Sequence, residues 1–266
     1  MPELPDVESF RQYLESTSLH KEIVDVDVRS RQILEIDAER LRTALKGRRF
    51  EGTRRHGKYL FVHLDDDRWL ELHFGMSGNL RYFRDMEDDP EYDRLLFSFA
   101  NGYYLAYTTP RKLGEVDVLD DPTVLIEEKD LGPDVMGEGF DLTTFKRLLA
   151  DRRGMIKSAL MDQQLMSGIG NVYSDEILFQ AKIHPRTKVQ ALTEDQLEAL
   201  YDVMQEVLEV STGTQVRNET FPPDYLTPHH HQDGACPICG EALHRVRVSG
   251  RSAYFCPKRQ GEPKGA

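Results

Sequence analysis

Between about Ile23 and Leu119 the apolar residues come in short strand-like runs, and beyond Leu131-Gly132-Pro133-Asp134 they recur at helical spacing. One core cannot serve both patterns, so the chain divides near that segment. The first stretch offers Ile23–Val28, Tyr59–Leu64, Trp69–Phe74, Leu95–Phe99, Tyr103–Tyr107 and Glu115–Leu119 as strands, with Asp65-Asp66-Asp67 and Asn101-Gly102 as turns. Short strands at this spacing favour an antiparallel sandwich or barrel. A helix precedes them: Pro5 suits its first turn, and Val7, Phe10 and Leu14 share one face. In the second stretch Phe145, Leu148 and Leu149 form one face, followed by Leu160, Met161 and Leu165. Ser167-Gly168-Ile169-Gly170-Asn171 interrupts the pattern, which resumes over 172–181. Thr193 and Gln196 announce another helix through a capping-box pattern, with Leu197, Leu200, Met204, Val207 and Leu208 on its buried face. Residues 211–235, with Pro222-Pro223 and three consecutive histidines, read as a linker or mobile loop. No internal repeat is visible. The 266 residues exceed one domain of ordinary size and suggest two or three units.

Composition narrows the class. No run approaches the ~18 apolar residues of a membrane span, and the N-terminus shows no basic and apolar leader. The three cysteines all fall between 236 and 256, which excludes a disulfide framework and points to metal chemistry in a reducing compartment, hence the cytoplasm. The net charge of −12 argues against a polyanionic partner only until it is divided. Residues 1–150 carry 31 acids and 21 bases, whereas 236–266 carry Glu241 and Glu262 against Arg245, Arg247, Arg251, Lys258, Arg259 and Lys264. Polyanions are bound by local patches, so nucleic acid remains a candidate partner.

Three places carry chemistry. Initiator methionine is normally removed ahead of a small residue such as Pro2, leaving a secondary amine with a pKa of ~8 that is partly neutral and nucleophilic near pH 7. Its attack on a sugar C1′ gives an iminium without further proton loss, and Glu3 stands beside it as an acid; alone, Pro2 and Pro5 could simply stiffen the terminus. Gly168-Ile169-Gly170-Asn171 precedes a helix whose free N–H groups suit a phosphate, with Lys157 upstream adding charge; the same residues also suit an ordinary helical turn. Cys236-Pro-Ile-Cys239 and Cys256 follow the spacing of a four-cysteine zinc site, but Arg259 stands at the fourth position. Either a histidine (His229, His230, His231 or His244) completes the site, or the hairpin persists with zinc absent or loosely held, packed by Val246, Val248, Tyr254 and Phe255. The missing cysteine favours the second.

Met-Pro-Glu-Leu-Pro-Asp-Val-Glu at the start, His56-Gly57-Lys58-Tyr59-Leu60, His73-Phe74-Gly75-Met76-Ser77-Gly78, Pro110-Arg111-Lys112-Leu113-Gly114, Gly168-Ile169-Gly170-Asn171 and Gly250-Arg251-Ser252 occur in order. In this order and spacing the chain resembles the formamidopyrimidine-DNA glycosylase family over nearly its whole length. The resemblance implies an α+β multidomain fold: an N-terminal antiparallel β-sandwich with flanking helices (1–132), a helix–two-turn–helix domain (133–222) and a C-terminal zinc-finger-like β-hairpin (232–260). It implies a monomeric bifunctional glycosylase and abasic-site lyase acting on oxidised bases in double-stranded DNA, which would lie between the domains. It also implies one zinc per chain and no organic cofactor or membrane partner. By resemblance Pro2 is the Schiff-base nucleophile, Glu3 the acid assisting sugar ring opening, and Lys58 a group for acid–base steps and phosphates. Arg251 resembles the arginine gripping phosphates beside the lesion. Asn171 and Lys157 resemble further phosphate contacts, with Arg152 an additional candidate, while Met76 and Arg111 resemble residues filling the gap left by an extruded base.

Several positions depart from the family. Leu113 stands where an intercalating phenylalanine is usual, Asp6 where glutamate is usual, and Tyr92 where many members carry a DNA-contacting histidine. The segment from Ser211 to Gly234 is short and unlike the usual lesion-capping loop. Two other readings compete: an endonuclease VIII-like glycosylase for oxidised pyrimidines, and a DNA-binding relative without catalysis. The Glu-Leu-Pro start and the setting of Met76 favour the first branch over endonuclease VIII, and the intact Pro2, Glu3, Lys58 and Arg251 set weighs against a pure binder.

Overall fold

The computed structural model describes residues 2–231 and 233–265; Met1, whose removal is expected, and residue 232, the expected start of the finger, lie outside the described residues. The chain forms two compact units, one ending at Lys129 and one beginning at Asp130. The hairpin expected as a third domain clusters with the helices of the second unit.

In the first unit, helix α1 (Leu4–Ser18) leads into β1 (Ile23–Val28), α2 (Ala38–Leu45), β2 (Phe50–His56), β3 (Tyr59–Leu64), β4 (Trp69–His73), β5 (Asn79–Phe83), β6 (Asp93–Phe99), β7 (Tyr104–Thr108), β8 (Glu115–Leu119) and α3 (Pro122–Glu128). The strands make two four-stranded sheets, β1-β6-β7-β5 and β2-β3-β4-β8, and every strand pair is antiparallel. Alternate residues of both sheets share one core, among them Leu60, Val62, Leu70, Leu72, Leu95, Phe97, Leu105 and Val116. Phe50 crosses the sandwich: it is fully buried and meets Phe97 edge-on at 5.8 Å and Phe99 at 6.1 Å between ring centroids. This is the expected sandwich.

Two strands and two helices were not visible in the sequence. Strand β2 reads Phe-Glu-Gly-Thr-Arg-Arg-His and buries only its first residue fully, because it forms a sheet edge that needs little apolar surface. Strand β5 lies at the edge of the other sheet. Helices α2 and α3 are short; Asp37 and Asp121 cap them by accepting backbone N–H groups of Glu39 and Thr123.

The second unit contains α4 (Leu142–Leu149), α5 (Ile156–Leu160), α6 (Asn171–Gln180), α7 (Glu194–Arg217), β9 (His244–Val248), β10 (Arg251–Phe255) and α8 (Pro257–Gln260). The Thr193–Gln196 capping box forms reciprocally. Helix α7 runs on to Arg217, so residues 211–217, expected in a loop, are helical: Ser211 and Thr214 supply small buried faces where an apolar spacing rule finds nothing. The segment Leu131–Asp134 is packed rather than loose. Gly132 N–H donates to the Gln163 carbonyl at 2.8 Å and its own carbonyl accepts the Ser167 hydroxyl at 2.9 Å.

Phe50 carries the aromatic bridge between the sheets, so Phe50→Ala should cost about 3–5 kcal/mol, as for other fully buried aromatic truncations. Denaturant unfolding of the purified variant measures it; a loss under about 1 kcal/mol would contradict a single shared core.

Candidate functional site

In the first unit the head of α1 carries Pro2 and Glu3. Glu3 is the N-cap of the helix and is 1 % exposed. Its carboxylate accepts the backbone N–H of Asp6, and Asp6 Oδ2 accepts the Glu3 N–H at 2.8 Å. Pro5 follows Leu4 as the second helical residue, where its missing N–H costs nothing. Burial pushes the Asp6 carboxyl up to about 6, opposed by the Glu3 N–H and reinforced by the Glu3 charge. Asp6 is thus more than a shortened glutamate: it closes the cap that holds Glu3 in place.

Lys58 lies in the turn between β2 and β3, after Gly57 at φ 55°, and is buried. The same turn is tied to α1, because Arg55 Nε donates to Glu8 at 3.2 Å and its Nη1 to the Gly57 carbonyl at 3.1 Å. His73, at the end of β4, stacks on Tyr59 at 4.6 Å. Burial is the main cause of its lowered pKa, opposed by Glu115 and aided by the positive charges of Lys129 and Lys58. A lowered pKa beside the charge of a buried lysine makes His73 a further candidate, one not singled out from the sequence although it heads His73-Phe74-Gly75-Met76.

The loops bearing Met76 and Leu113 are brought together by two glycines. Gly75 has φ 55°, and a Cβ there would stand 2.1 Å from the Leu113 carbonyl oxygen. A Cβ at Gly114 would stand 1.7 Å from the Tyr107 hydroxyl, which donates to the His73 carbonyl at 2.9 Å. The loop tips are open: Met76 is 41 % and Leu113 49 % exposed, and Arg111 and Lys112 are exposed between them. Tyr92, also exposed, joins this edge through its carbonyl, which accepts the Thr109 N–H at 3.0 Å, with the Arg94 guanidinium 5.6 Å from its ring. The structure therefore assembles Met76, Tyr92, Arg111 and Leu113 on backbone segments that are directly linked.

In the second unit the candidates also gather, with one correction. Asn171 opens α6 behind Gly170, and its Oδ1 is buried without a partner among the described residues. Lys157, expected on a phosphate, is fully buried: its ammonium donates to Asp175 Oδ1 at 2.6 Å, Ser174 Oγ at 2.8 Å and the Asn171 carbonyl at 2.9 Å. An ammonium so enclosed has no donor for an external anion, so Lys157 supports the turn from inside. Arg152 remains on the surface, 3.6 Å from Asp162.

Arg251 begins β10 after a two-residue turn, Ser249 (φ 47°) and Gly250 (φ 78°), the positive-φ pair that a tight hairpin requires. The hairpin tip sits on α5: Ser249 Oγ lies 2.7 Å from Ser158 Oγ, and Arg251 Nη1 lies 3.8 Å from Met161 Sδ. Asp175, absent from the sequence reading, fixes the hairpin's other end. Its Oδ2 accepts the Tyr254 N–H at 2.9 Å and lies 2.8 Å from His230 Nε2.

The sulfurs of Cys236, Cys239 and Cys256 lie within 4.8 Å of one another, and no other His, Asp or Glu joins the group among the described residues. Thiolates on one tetrahedral zinc at about 2.3 Å lie roughly 3.8 Å apart; Cys239 and Cys256 are 3.6 Å apart. The residues fit three of zinc's four positions. The histidines considered for the fourth are elsewhere: His230 is engaged by Asp175, and His244 meets the Phe255 ring edge-on. Val248, Ala253 and Phe255 are buried in the hairpin, whereas Val246 and Tyr254 are half-buried.

An antiparallel sandwich with a capped Pro-Glu terminus, a helix–two-turn–helix and a thiol-rich hairpin define a class of nucleic-acid enzyme architecture. The N-terminal domain model of formamidopyrimidine-DNA glycosylase matches residues 1–116, its H2TH domain residues 131–220, and the zinc finger found in FPG and IleRS residues 235–258. The formamidopyrimidine-DNA glycosylase of Streptococcus pyogenes is 34% identical over 98% of both chains, and that of Halorhodospira halophila 33% over 98% of this chain and 100% of its own. A crystal structure of the Lactococcus lactis enzyme with DNA containing an abasic site superposes at TM-score 0.87, 29% identical, covering 98% of this chain and 100% of that one. The chain belongs to the formamidopyrimidine-DNA glycosylase family.

Two substitutions test the supports. Asp175→Asn leaves Lys157 buried without its anion, which should cost about 3 kcal/mol in denaturant unfolding; amide exchange of β9 and β10 should rise as well, and an unchanged hairpin would refute the clamp. Asp6→Asn tests the cap. A carboxyl whose folded pKa, about 6, exceeds its unfolded value of 3.8 costs nothing while protonated in both states and destabilises the fold as pH rises through that window. The stability of wild type relative to Asp6→Asn should therefore fall between pH 4 and 6 and level off above; a flat difference would contradict it.

Proposed function

We propose that the chain excises oxidised bases of the formamidopyrimidine and 8-oxoguanine class from double-stranded DNA and then cleaves the strand at the abasic site. The observation that carries this reading is the whole-chain match to formamidopyrimidine-DNA glycosylases with Pro2 and Glu3 held at a capped helix head. The Lactococcus lactis relative has been crystallised with DNA bearing an abasic site and with DNA bearing N7-benzyl-Fapy-dG, which supports the substrate class.

In this reading the Pro2 nitrogen, free once Met1 is removed, attacks C1′ of the damaged nucleotide. The glycosidic bond breaks and the base leaves with the proton that the amine gives up; the nitrogen lone pair then forms the iminium as the C1′–O4′ bond opens. Glu3, fixed by the Asp6 box, serves the sugar ring oxygen as acid. Lys58 takes part in proton transfer beside the neutral His73, and loss of a C2′ proton from the iminium expels the 3′-phosphate. Arg251 and Asn171 hold phosphates, with Arg152 adding surface charge. Met76, Arg111 and Leu113 fill the space of the extruded base, with Tyr92 beside them on the backbone. The domains assigned are the sandwich (1–132), the helix–two-turn–helix (133–222) and the finger (232–260). The protein works as a monomer in the cytoplasm, a setting that three unpaired thiols suit. No helix of the described residues is long and apolar enough to cross a membrane.

Borohydride reduction of the protein with abasic-site DNA should leave a covalent complex. Pro2→Gly should abolish most of it, and a verified N-terminal extension all of it; undiminished trapping by the extended protein would overturn the nucleophile. Glu3→Gln should lower base excision by roughly 10²–10⁴-fold, the range for a lost acid–base group, with DNA binding nearly retained. Arg251→Ala should weaken binding and flatten its salt dependence by about one phosphate contact; an unchanged slope would remove Arg251 from the phosphates.

A further inference from the structure

The two cysteine-bearing turns are built alike, yet only one carries two thiols. In the first, the Gly240 N–H donates to the Cys236 carbonyl at 2.9 Å and the Cys236 N–H to the Glu241 carbonyl at 2.8 Å. In the second, the Arg259 and Gln260 N–H groups donate to the Cys256 carbonyl at 3.2 and 3.0 Å. Arg259 thus occupies the place where a fourth thiolate would enter, and its guanidinium, always protonated, cannot ligate a metal. It lies instead 4.9 Å from the centroid of the Phe179 ring.

Phe179 belongs to α6 and is fully buried in the same apolar cluster as Leu226, Leu243 and the three cysteines. Stacking on it binds the second turn to the helical part of the unit. Gln260 adds a second tie: Oε1 accepts the Cys256 N–H at 2.8 Å, and Nε2 donates to the Ile183 carbonyl at 2.8 Å. Charge agrees with this arrangement. Three thiolates on a divalent zinc would leave one negative charge, and Arg259 brings a cation in the same turn as Cys256.

We infer that the finger holds zinc through Cys236, Cys239 and Cys256 with the fourth coordination position open to an exchangeable nitrogen or sulfur donor from solution, while Arg259 stacked on Phe179 supplies the anchorage that a fourth cysteine–zinc bond would give. The inference rests on the zinc-finger reading of this segment. Its consequence is a separation of roles: the metal tightens the cysteine turns, and the hairpin bearing Arg251 stays docked through side chains.

The test uses the full chain loaded with cobalt(II) as a spectroscopic substitute for zinc. Wild type should show thiolate-to-cobalt absorption whose visible bands shift when imidazole is added. Arg259→Cys should show a four-thiolate spectrum indifferent to imidazole, and should retain the ion at least about tenfold better against a chelator, because a fourth protein ligand closes the site. A wild-type spectrum unmoved by imidazole would overturn the open position, as would cobalt uptake by Arg259→Cys alone. Uptake by neither protein would instead refute the zinc-finger reading itself. For the anchorage, amide exchange over residues 244–255 is followed after metal removal. Wild type should stay protected, and Arg259→Ala should exchange roughly tenfold faster through loss of a partly desolvated cation–π contact. Arg259→Lys, which keeps the charge without the planar face, should shift the same way and serves if the alanine variant fails to fold. Loss of protection in metal-free wild type, or unchanged exchange in both variants, would overturn the role of Arg259.

Discussion

One buried carboxylate organises the C-terminal unit. Asp175 is 1 % exposed and would be costly there as an isolated charge. Its two oxygens engage the Lys157 ammonium of α5, His230 from the stretch before the finger, and the Tyr254 N–H of β10. Three segments far apart in sequence thus converge on one residue of α6, one turn past Asn171. A buried ion pair contributes little net stability compared with apolar packing, but it tolerates few alternative arrangements. That selectivity is what the hairpin needs: Tyr254 is fixed at one end of β10 and Ser249 rests on Ser158 at the tip, leaving Arg251 a defined position between them.

The N-terminal unit reaches a similar result by steric means. The Met76 and Leu113 loops approach so closely at Gly75 that no side chain fits between them. Exposed large apolar residues such as Met76 and Leu113 are normally a liability. Here the backbone beneath them is locked to Tyr107 and His73, so they project from a rigid edge beside Arg111 and Lys112. In the proposed role of filling a base's place, such a wedge must keep its shape when the duplex pushes back, and leucine instead of a larger ring would make that backbone support more important. The family's usual phenylalanine would add stacking; Leu113 offers only shape.

What the sequence made legible follows from where residues act. Short apolar strands declared the sandwich because both faces of the core leave an alternating pattern, and the Thr193–Gln196 box declared α7 because capping is local. Edge strands β2 and β5 stayed hidden because they bury little. The end of α7 stayed hidden because Ser211 and Thr214 are buried without being apolar. The same blindness hid Asp175 and misplaced Lys157: a lysine beside a glycine-rich turn looks available for a phosphate, and only the fold reveals that its charge is consumed inside. His73 was within reach, since it is the first residue of a motif already singled out. Pro2, Glu3 and Arg251 could be named as candidates because they sit at fixed places in ordered motifs, and the fold puts Glu3 at the capped head of α1 and Arg251 at the start of β10.

Acidity and DNA recognition coexist in this chain through the distribution of charge. Of the acids in the first unit, several are matched by arginines on the sandwich itself: Asp66 by Arg48 and Arg68, Asp89 and Asp93 by Arg29, Glu8 by Arg11 and Arg55. Such pairs contribute little to stability at the surface, but they cancel field over the distance that salt leaves unscreened, ~8 Å at physiological ionic strength. The cations left over are local and differently placed. Arg111 and Lys112 stand on the exposed loop tip, and Arg245, Arg247 and Arg251 line the finger hairpin, whose own segment from 236 to 266 is net positive. A negative total with positive patches disfavours lingering on DNA through diffuse attraction and leaves binding to residues that require correct seating. In the proposed complex, seating on DNA rests on the segments that Asp175 and Gly75 hold in place as well as on the basic residues those segments carry.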